Sequence, residues 1–268
     1  MITHQKIYDQ ISILAPFEYA EEWDPTGKML GDFSDKTRGI VVSLDLTYKS
    51  LEIALENNCN LIITHHPFLF SPVSTVLAEN KEQKLLLELA KNQISCFSCH
   101  TNLDVASKGV AMSFLEMALK GVLFDSQIEI VFPLEDQVEA GHCRMVNLIN
   151  SINLSELQNI IDTNLKTVCQ INTDQDQSIN KIVFAPGSFT ESWISSLENK
   201  NIDLLVTGEL KHHASVMLHE RNIATLATGH GASEQTIIPF LSEYLKEKFE
   251  NLTIVENEGI IYNYLRSE

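Results

Sequence analysis

The chain has 268 residues, of which 44% are hydrophobic and 21% charged, a composition typical of a globular protein with a full core. Its formal net charge of −17 at pH 7 argues against nucleic acid or anionic lipid as a partner, because both select basic surfaces. No apolar run approaches the roughly 18 residues of a membrane span, and the N-terminal residues lack a signal-peptide pattern. We therefore expect a cytoplasmic protein with no membrane partner.

Hydrophobic periodicity predicts alternating strands and helices in the first half of the chain. The predicted elements are a helix over residues 5–15, a loop over 20–27, a strand over 39–46, a helix over 48–57 capped by Thr47, a strand over 61–64, a helix over 82–92, a strand over 94–99 and a helix over 108–120. For the loop, the residues alone favour exposure to solvent. The order strand, helix, strand within about 30 residues indicates a βαβ unit and a parallel sheet.

The second half repeats this order of elements. The predicted elements are strands over 128–132 and 142–149, a helix over 155–164, a strand that opens at 182–184, a helix over 190–199, strands over 204–207 and 222–228, a helix over 237–249 and a strand over 254–264. We interpret the two halves as an internal pseudo-repeat. The fold class is therefore α/β, with two similar α/β domains, mixed or parallel sheets and a metal site between them. We place the first domain at residues 1–126, completed by 235–268, and the second at 127–234.

Two adjacent histidines mark the end of one buried strand. His65 and His66 follow Leu61–Thr64 directly, and Pro67 stops the strand there because proline cannot donate to a central ladder. In open α/β sheets, ligands bind at the carboxyl ends of the strands. Taken alone, such a pair is more often hydrogen-bonded or part of a turn than a metal site.

Two further strand ends carry a histidine followed four residues later by a carboxylate. His100 and Asp104 follow one predicted strand, and His230 and Glu234 follow the equivalent strand of the second half. Glu234 also suits the first turn of a helix, where the helix dipole favours a negative charge. The equivalent placement in both halves favours the metal interpretation.

Histidine and carboxylate ligands without thiolates suit a catalytic site for Zn, Mn or Fe. Because consecutive residues of a strand point to opposite faces, His65 and His66 would each serve a different ion. This predicts two divalent ions roughly 3.5–4 Å apart, with a bridging water as the natural nucleophile. The predicted ligands are His65, His66, Asp104, His230 and Glu234.

Other histidines and the cysteines are less informative. Glu209, His212 and His213 fit a solvated helix start as well as a role near the metal or the substrate. His4, His142 and His219 stand apart from any cluster and are read as structural or exposed. Cys96 to His100 matches the pattern of c-type haem attachment and would also fit a redox dithiol or a thiolate metal site, but buried residues of a strand are the default interpretation.

Several segments resemble one protein family. They are Ala20-Glu21-Glu22-Trp23-Asp24, Leu44-Asp45-Leu46-Thr47, Thr64-His65-His66-Pro67, His100-Thr101-Asn102-Leu103-Asp104, Thr207-Gly208-Glu209 and Gly229-His230 with Ser233-Glu234. Their order and spread over most of the chain resemble the Nif-three-like family, whose members are also called GTP cyclohydrolase I type 2 homologues. The chain departs from the family pattern at Pro25, where asparagine is common, and in the turn at residues 184–187.

The resemblance implies a two-domain α/β protein, a dinuclear metal site with the five ligands named above, and a ring-shaped homohexamer. It also implies a hydrolase in which activated water attacks a purine C8 or a phosphoester-like centre, with GTP or another nucleotide as the substrate. Glu209 and His100 are the candidate catalytic residues for proton transfer. Two alternatives stay open: a metal-binding hexameric scaffold without turnover, and a regulator that senses metal or nucleotide. The sequence lacks a phosphate-binding loop of the P-loop kind, which would have favoured a nucleoside triphosphate.

Overall fold

The computed structural model describes residues 1–173 and 175–259. The strands are β1 (Gly27–Leu30), β2 (Gly39–Ser43), β3 (Leu61–Thr64), β4 (Ser95–Ser98), β5 (Glu129–Leu134), β6 (Gln137–Asn153), β7 (Gln170–Ile171), β8 (Ser178–Ser188), β9 (Leu204–Glu209), β10 (Ala224–Ala227) and β11 (Thr253–Asn257). The α-helices are α1 (His4–Leu14), α2 (Tyr48–Glu56), α3 (Lys81–Lys91), α4 (Thr101–Val105), α5 (Val110–Ala118), α6 (Leu154–Leu165), α7 (Ile194–Asn199), α8 (His212–His219), α9 (His230–Glu234) and α10 (Ile237–Lys248). Within the described residues, no helix is long and apolar enough to cross a bilayer.

The chain forms two compact units. Unit 1 comprises residues 1–106 and 237–259, and unit 2 comprises residues 107–236. The sheet of unit 1 has the strand order β1-β4-β3-β2-β11, in which all neighbours are parallel except β1 and β4. Residues of β2, β3 and β4 are buried, as the apolar runs of β2 and β3 predict. Helices α2 and α3 contribute Leu51 and Leu89 to the core on this sheet.

The sheet of unit 2 has the order β5-β6-β8-β9-β10-β7. Its three central strands β8, β9 and β10 are parallel, and the outer strands are antiparallel to their neighbours. Two apolar clusters lie in this unit. Helix α6 contributes Leu157 and Ile161 to one, and helices α7 and α8 contribute Leu197 and Leu218 to the other.

Both units share a core of three parallel strands with the same order. In unit 1, β3 lies between β2 and β4, and in unit 2, β9 lies between β8 and β10. The prediction of an α/β fold with two similar domains and mixed sheets is therefore confirmed. The metal site between the domains stays a prediction, and so do the boundaries of the two domains.

Several elements differ from the sequence prediction. The edge strand β1 at residues 27–30 has no counterpart among the predicted elements, and it pairs antiparallel with β4. The helix predicted over 190–199 begins as a 3₁₀ turn at Glu191–Trp193 before α7. Strand β8 is longer than its apolar centre, because its ends pair with neighbouring strands rather than enter the core. The strand predicted over 254–264 is β11, and its last residues lie outside the described part of the chain.

Candidate metal centre

The backbone of His65 and His66 extends the ladder between β3 and β2. The His65 amide donates to the carbonyl of Ser43 (3.1 Å), and the His66 amide donates to the carbonyl of Leu44 (3.0 Å). These bonds fix both residues as a continuation of the strand. Their side chains therefore leave the sheet at its carboxyl edge, as the sequence predicted.

His65 is buried, and a backbone carbonyl fixes the orientation of its ring. Its Nδ1 lies 2.9 Å from the carbonyl oxygen of Cys99, which only accepts hydrogen bonds, so Nδ1 carries the proton. Its Nε2 lies 3.5 Å from Oδ1 of Asp104 in α4. Two ligands of one ion with bonds of about 2.0–2.2 Å lie roughly 3–3.5 Å apart, so this spacing suits a shared metal.

A carboxylate on the neighbouring strand end orients His66. Nδ1 of His66 lies 2.8 Å from Oδ1 of Asp45, two residues beyond the end of β2. A carboxylate oxygen accepts a hydrogen bond from the protonated Nδ1, and in this tautomer the lone pair of the ring is on Nε2. The pair of carboxylate and histidine is the arrangement that orients imidazole ligands in metal sites.

His100 is held in the same way by Asp24. Its Nδ1 lies 3.1 Å from Oδ1 of Asp24, whose other oxygen accepts hydrogen bonds from the amide (3.0 Å) and hydroxyl (2.5 Å) of Thr101. The side chain of Asp24 is fully buried. Burial alone raises the pKa of Asp24, but the hydrogen bonds from His100 and Thr101 outweigh it, so this pKa lies below its ordinary value. Asp24 is therefore ionised at neutral pH.

The three imidazoles of unit 1 form a cluster in which every Nδ1 has a hydrogen-bond partner. One ligand atom each of His65, His66 and His100 lie within 4.8 Å of one another. Each Nδ1 is engaged by a hydrogen-bond acceptor, so the atom available to a metal is Nε2 in every case. Neutral imidazoles with lone pairs that converge are the donors that Zn, Fe and Mn accept. The residues present therefore fit a divalent transition metal.

Unit 2 brings together the second group of predicted residues. At the start of α9, Nε2 of His230 lies 3.1 Å from Oε2 of Glu234, and its Nδ1 lies 3.1 Å from Oε1 of Glu209 at the end of β9. The hydrogen bond to Glu234 is the largest cause that raises the pKa of His230 to about 9, with a smaller contribution from Glu209. A metal ion that bound His230 would have to displace this proton.

Two glycines allow the backbone to approach α9 closely. Gly187 at the end of β8 has φ +64°, and a Cβ there would lie 2.4 Å from Oε1 of Glu234. Its amide donates to the hydroxyl of Ser233 (3.0 Å). A Cβ on Gly208 would lie 2.5 Å from the same hydroxyl. The turn at residues 184–187, which departs from the family pattern, thus keeps a structural role beside Glu234.

The structure groups the sequence-predicted residues within each unit. Unit 1 brings together His65, His66, His100 and Asp104, and unit 2 brings together Glu209, His230 and Glu234. His213 pairs instead with Glu191 at an exposed helix start, and His212 is exposed, so neither lies in these groups. His4, read as structural or exposed, is fully buried.

Sequence reasoning missed the two carboxylates that orient histidines. The prediction of a solvated loop is wrong for Asp24, because its side chain is fully buried against Thr101 and His100. Asp45 lies in the family-like segment Leu44-Asp45-Leu46-Thr47, but the sequence alone predicts no role for it. Its position after a buried parallel strand, next to the one that bears His65 and His66, is the signal that could have found it.

The cysteines of the haem-like pattern lie in the core. Cys96 in β4 and Cys99 just after it are both completely buried. Burial raises the pKa of the Cys96 thiol to about 12 and that of Cys99 well above its ordinary value. Both are therefore protonated, unreactive thiols, and the interpretation as buried strand residues is confirmed.

These features define a two-unit α/β protein with oriented imidazoles and carboxylates at the carboxyl ends of parallel strands. The family model DUF34/NIF3 (NGG1p interacting factor 3) matches residues 2–261, and the chain belongs to this family. The "GTP cyclohydrolase 1 type 2 homolog" of Clostridium acetobutylicum is 28% identical over 254 residues, 93% of this chain and 92% of that protein. The "GTP cyclohydrolase 1 type 2" of Helicobacter pylori strain 26695 is 30% identical over 247 residues, 91% of each.

Solved structures share the fold. The Staphylococcus aureus hypothetical protein SA1388 superposes with a TM-score of 0.89 at 21% identity, over 98% of this chain and 99% of that chain. A Bacillus cereus protein related to NIF3 superposes with a TM-score of 0.87 at 16% identity, over 98% of each. At these identities the likeness establishes the fold alone.

Proposed function

We propose that the protein is a metal-dependent hydrolase that binds two divalent ions, Zn, Mn or Fe, through His65, His66, Asp104, His230 and Glu234. One observation carries the proposal. In unit 1 the Nδ1 of His65, His66 and His100 is engaged by a hydrogen-bond acceptor, so Nε2 is the atom through which each ring would bind a metal. Metal-bound histidines almost always donate their other ring N–H to a carboxylate or a backbone carbonyl, which is the pattern of these three rings.

Divalent ions held there would lower the pKa of a water ligand and so supply a nucleophile near neutral pH. His100 is our first candidate for proton transfer, because Asp24 holds its Nδ1 and leaves Nε2 to accept or give a proton. Glu209 remains the second candidate. Its hydrogen bond to Nδ1 of His230 supports a role in orienting that ring as well.

The substrate we propose is GTP or another nucleotide, with attack at a purine C8 or at a phosphoester-like centre. Support comes from the names of the relatives in Clostridium acetobutylicum and Helicobacter pylori. We further propose a cytoplasmic, ring-shaped homohexamer, which light scattering on the purified protein would test.

The experiment is turnover of GTP and model phosphoesters by metal-loaded protein, beside the variant Glu234→Ala with the metal content of both determined. We expect turnover by the parent and its loss in the variant together with metal. A parent that holds two ions per chain yet hydrolyses nothing would favour the alternative of a metal-binding scaffold or regulator. A parent that purifies without metal, and that chelators leave unchanged, would contradict the ligand assignment itself.

A further inference from the structure

Two large aromatic side chains stand exposed beside His100. Trp23 is 64% exposed and Phe70 is 52% exposed, although large aromatic rings are usually mostly buried. The ring centroid of Trp23 lies 6.0 Å from that of His100 with an interplanar angle of 79°, and that of Phe70 lies 5.7 Å away at 90°. Both contacts are edge contacts, which occupy at most one face of each aromatic ring.

Neighbouring residues fix the backbone that bears each ring. Asp24 follows Trp23 and is buried against Thr101, and the amide of Glu21 donates to the Thr101 hydroxyl (2.9 Å). Phe68, two residues before Phe70, donates its amide to the sulfur of Met29 (3.3 Å). The rings are thus exposed on anchored segments rather than on free ends, which lowers the entropic cost of binding a ligand.

A stacked pair of aromatic rings in unit 2 provides a comparison. Trp193 in unit 2 stacks face to face on Phe132, with centroids 4.7 Å apart and an interplanar angle of 18°. Neither Trp23 nor Phe70 has such a stacked partner among the residues that the structure describes. A flat ligand would supply the stacking partner that Trp23 and Phe70 lack.

We propose that Trp23 and Phe70 bind a planar heteroaromatic ring of the nucleobase type by stacking, next to the Nε2 atom of His100. The inference rests on the proposed function, since it names the part of the substrate that this site recognises. Glu22, which is exposed and precedes Trp23, and the net charge of −17 disfavour a polyanion at this position. The recognised group is therefore the ring itself and not a phosphate chain.

Tryptophan fluorescence tests the proposal, because Trp23 and Trp193 are the two tryptophans of the sequence. In the metal-loaded Trp193→Phe variant, Trp23 is the sole reporter, and we expect guanosine to quench it saturably while inorganic tripolyphosphate does not. In Trp23→Phe, where Trp193 reports, guanosine should leave the emission unchanged. Base stacking on an aromatic side chain contributes about 1–3 kcal/mol, so Phe70→Ala in the Trp193→Phe background should weaken guanosine binding roughly 5- to 150-fold.

Leu77→Ala is the matched control, since Leu77 lies in the segment between β3 and α3 and is 53% exposed. It should bind guanosine like its parent. Absence of quenching by guanosine, or equal losses in Phe70→Ala and Leu77→Ala, would overturn the proposal. Quenching without any hydrolysis would contradict the proposed hydrolase but support the aromatic site. Phosphoester hydrolysis without quenching would support the hydrolase and contradict the aromatic site.

Discussion

The carboxylate of Asp24 accepts a hydrogen bond from Nδ1 of His100 across 76 positions of sequence, with the carboxylate fully buried and the imidazole nearly so. Because Asp24 is ionised and accepts two further bonds from Thr101, its orientation is fixed. A fixed acceptor determines which tautomer of the imidazole is populated. Asp24 is therefore a positioning residue for His100.

The variant Asp24→Asn should lower kcat roughly 10- to 100-fold, because the neutral amide no longer enforces the Nδ1–H tautomer of His100. Nitrogen chemical shifts of His100 in the zinc-loaded protein report the tautomer directly. Thr101→Val is the control. It removes the hydrogen bond that the Thr101 hydroxyl donates to Asp24 and the one that it accepts from the Glu21 amide, so we expect a loss of about 1–3 kcal/mol in stability with the His100 tautomer retained. Equal losses of kcat in both variants would argue for a purely structural role.

The variant Asp45→Asn should weaken metal binding about 10- to 100-fold, since Asp45 orients the His66 ring through Nδ1. Competition with a chromophoric chelator measures the affinity. Glu52→Gln provides the comparison, because Glu52 is an exposed carboxylate that pairs with Lys49 on α2. Indistinguishable affinities in the two variants would contradict the role of Asp45.

The variant Gly187→Ala should lose both stability and metal. Its positive φ disfavours a side chain by about 1–2 kcal/mol, and the new Cβ would displace the Glu234 carboxylate. Gly121→Ala is the control for the cost of the positive φ alone, because Gly121 has φ +88° and no atom lies within 4 Å of the added Cβ. Thermal denaturation and metal analysis should show a stability loss in both variants and a metal loss in Gly187→Ala alone. Full metal content in Gly187→Ala would refute the link to Glu234.

His4 predicts a pH dependence of stability away from the metal residues. Burial lowers the pKa of His4, with smaller opposing effects of Asp35 and Asp32 and a small lowering by Arg38. Below pH 6.5 the unfolded chain therefore binds more protons at His4 than the folded chain does. Stability falls as the pH decreases from 6.5 towards the pKa of His4 in the folded protein. The loss can reach about 1.4 kcal/mol per pH unit.

Denaturant titrations at several pH values test this contribution. In His4→Gln, which can still hydrogen-bond to Thr37 but does not titrate, the slope should be smaller by up to one proton. Parallel pH profiles of the parent and the variant would show that His4 contributes nothing to the acid sensitivity.

All five cysteines are buried, and burial raises the pKa of Cys59 to about 11. A thiol-specific chromogenic disulfide should therefore react slowly with the native protein. In guanidinium chloride it should react rapidly with all five thiols of the chain. Rapid reaction of one or two native thiols would reopen the dithiol interpretation of Cys96 and Cys99.

The sequence by itself determined the parallel strand core and most of the ligand candidates. Continuous apolar runs such as Leu61–Thr64 have one stable environment, the centre of a covered sheet, so their identity as strands follows from local pattern. Polar residues immediately after them must lie at the carboxyl edge. The positions of four histidines at this edge could therefore be predicted without coordinates: His65, His66, His100 and His230.

Only the tertiary structure decided which groups act on those histidines and on Glu234. Asp24, Asp45 and Gly187 meet their partners through packing between elements distant along the chain, and a local pattern contains no information on such contacts. The same holds for the exposure of Trp23 and Phe70, because apolar side chains predict burial until the surrounding chain is placed. Periodicity specifies elements and their faces, whereas the contacts of single side chains depend on how those elements pack.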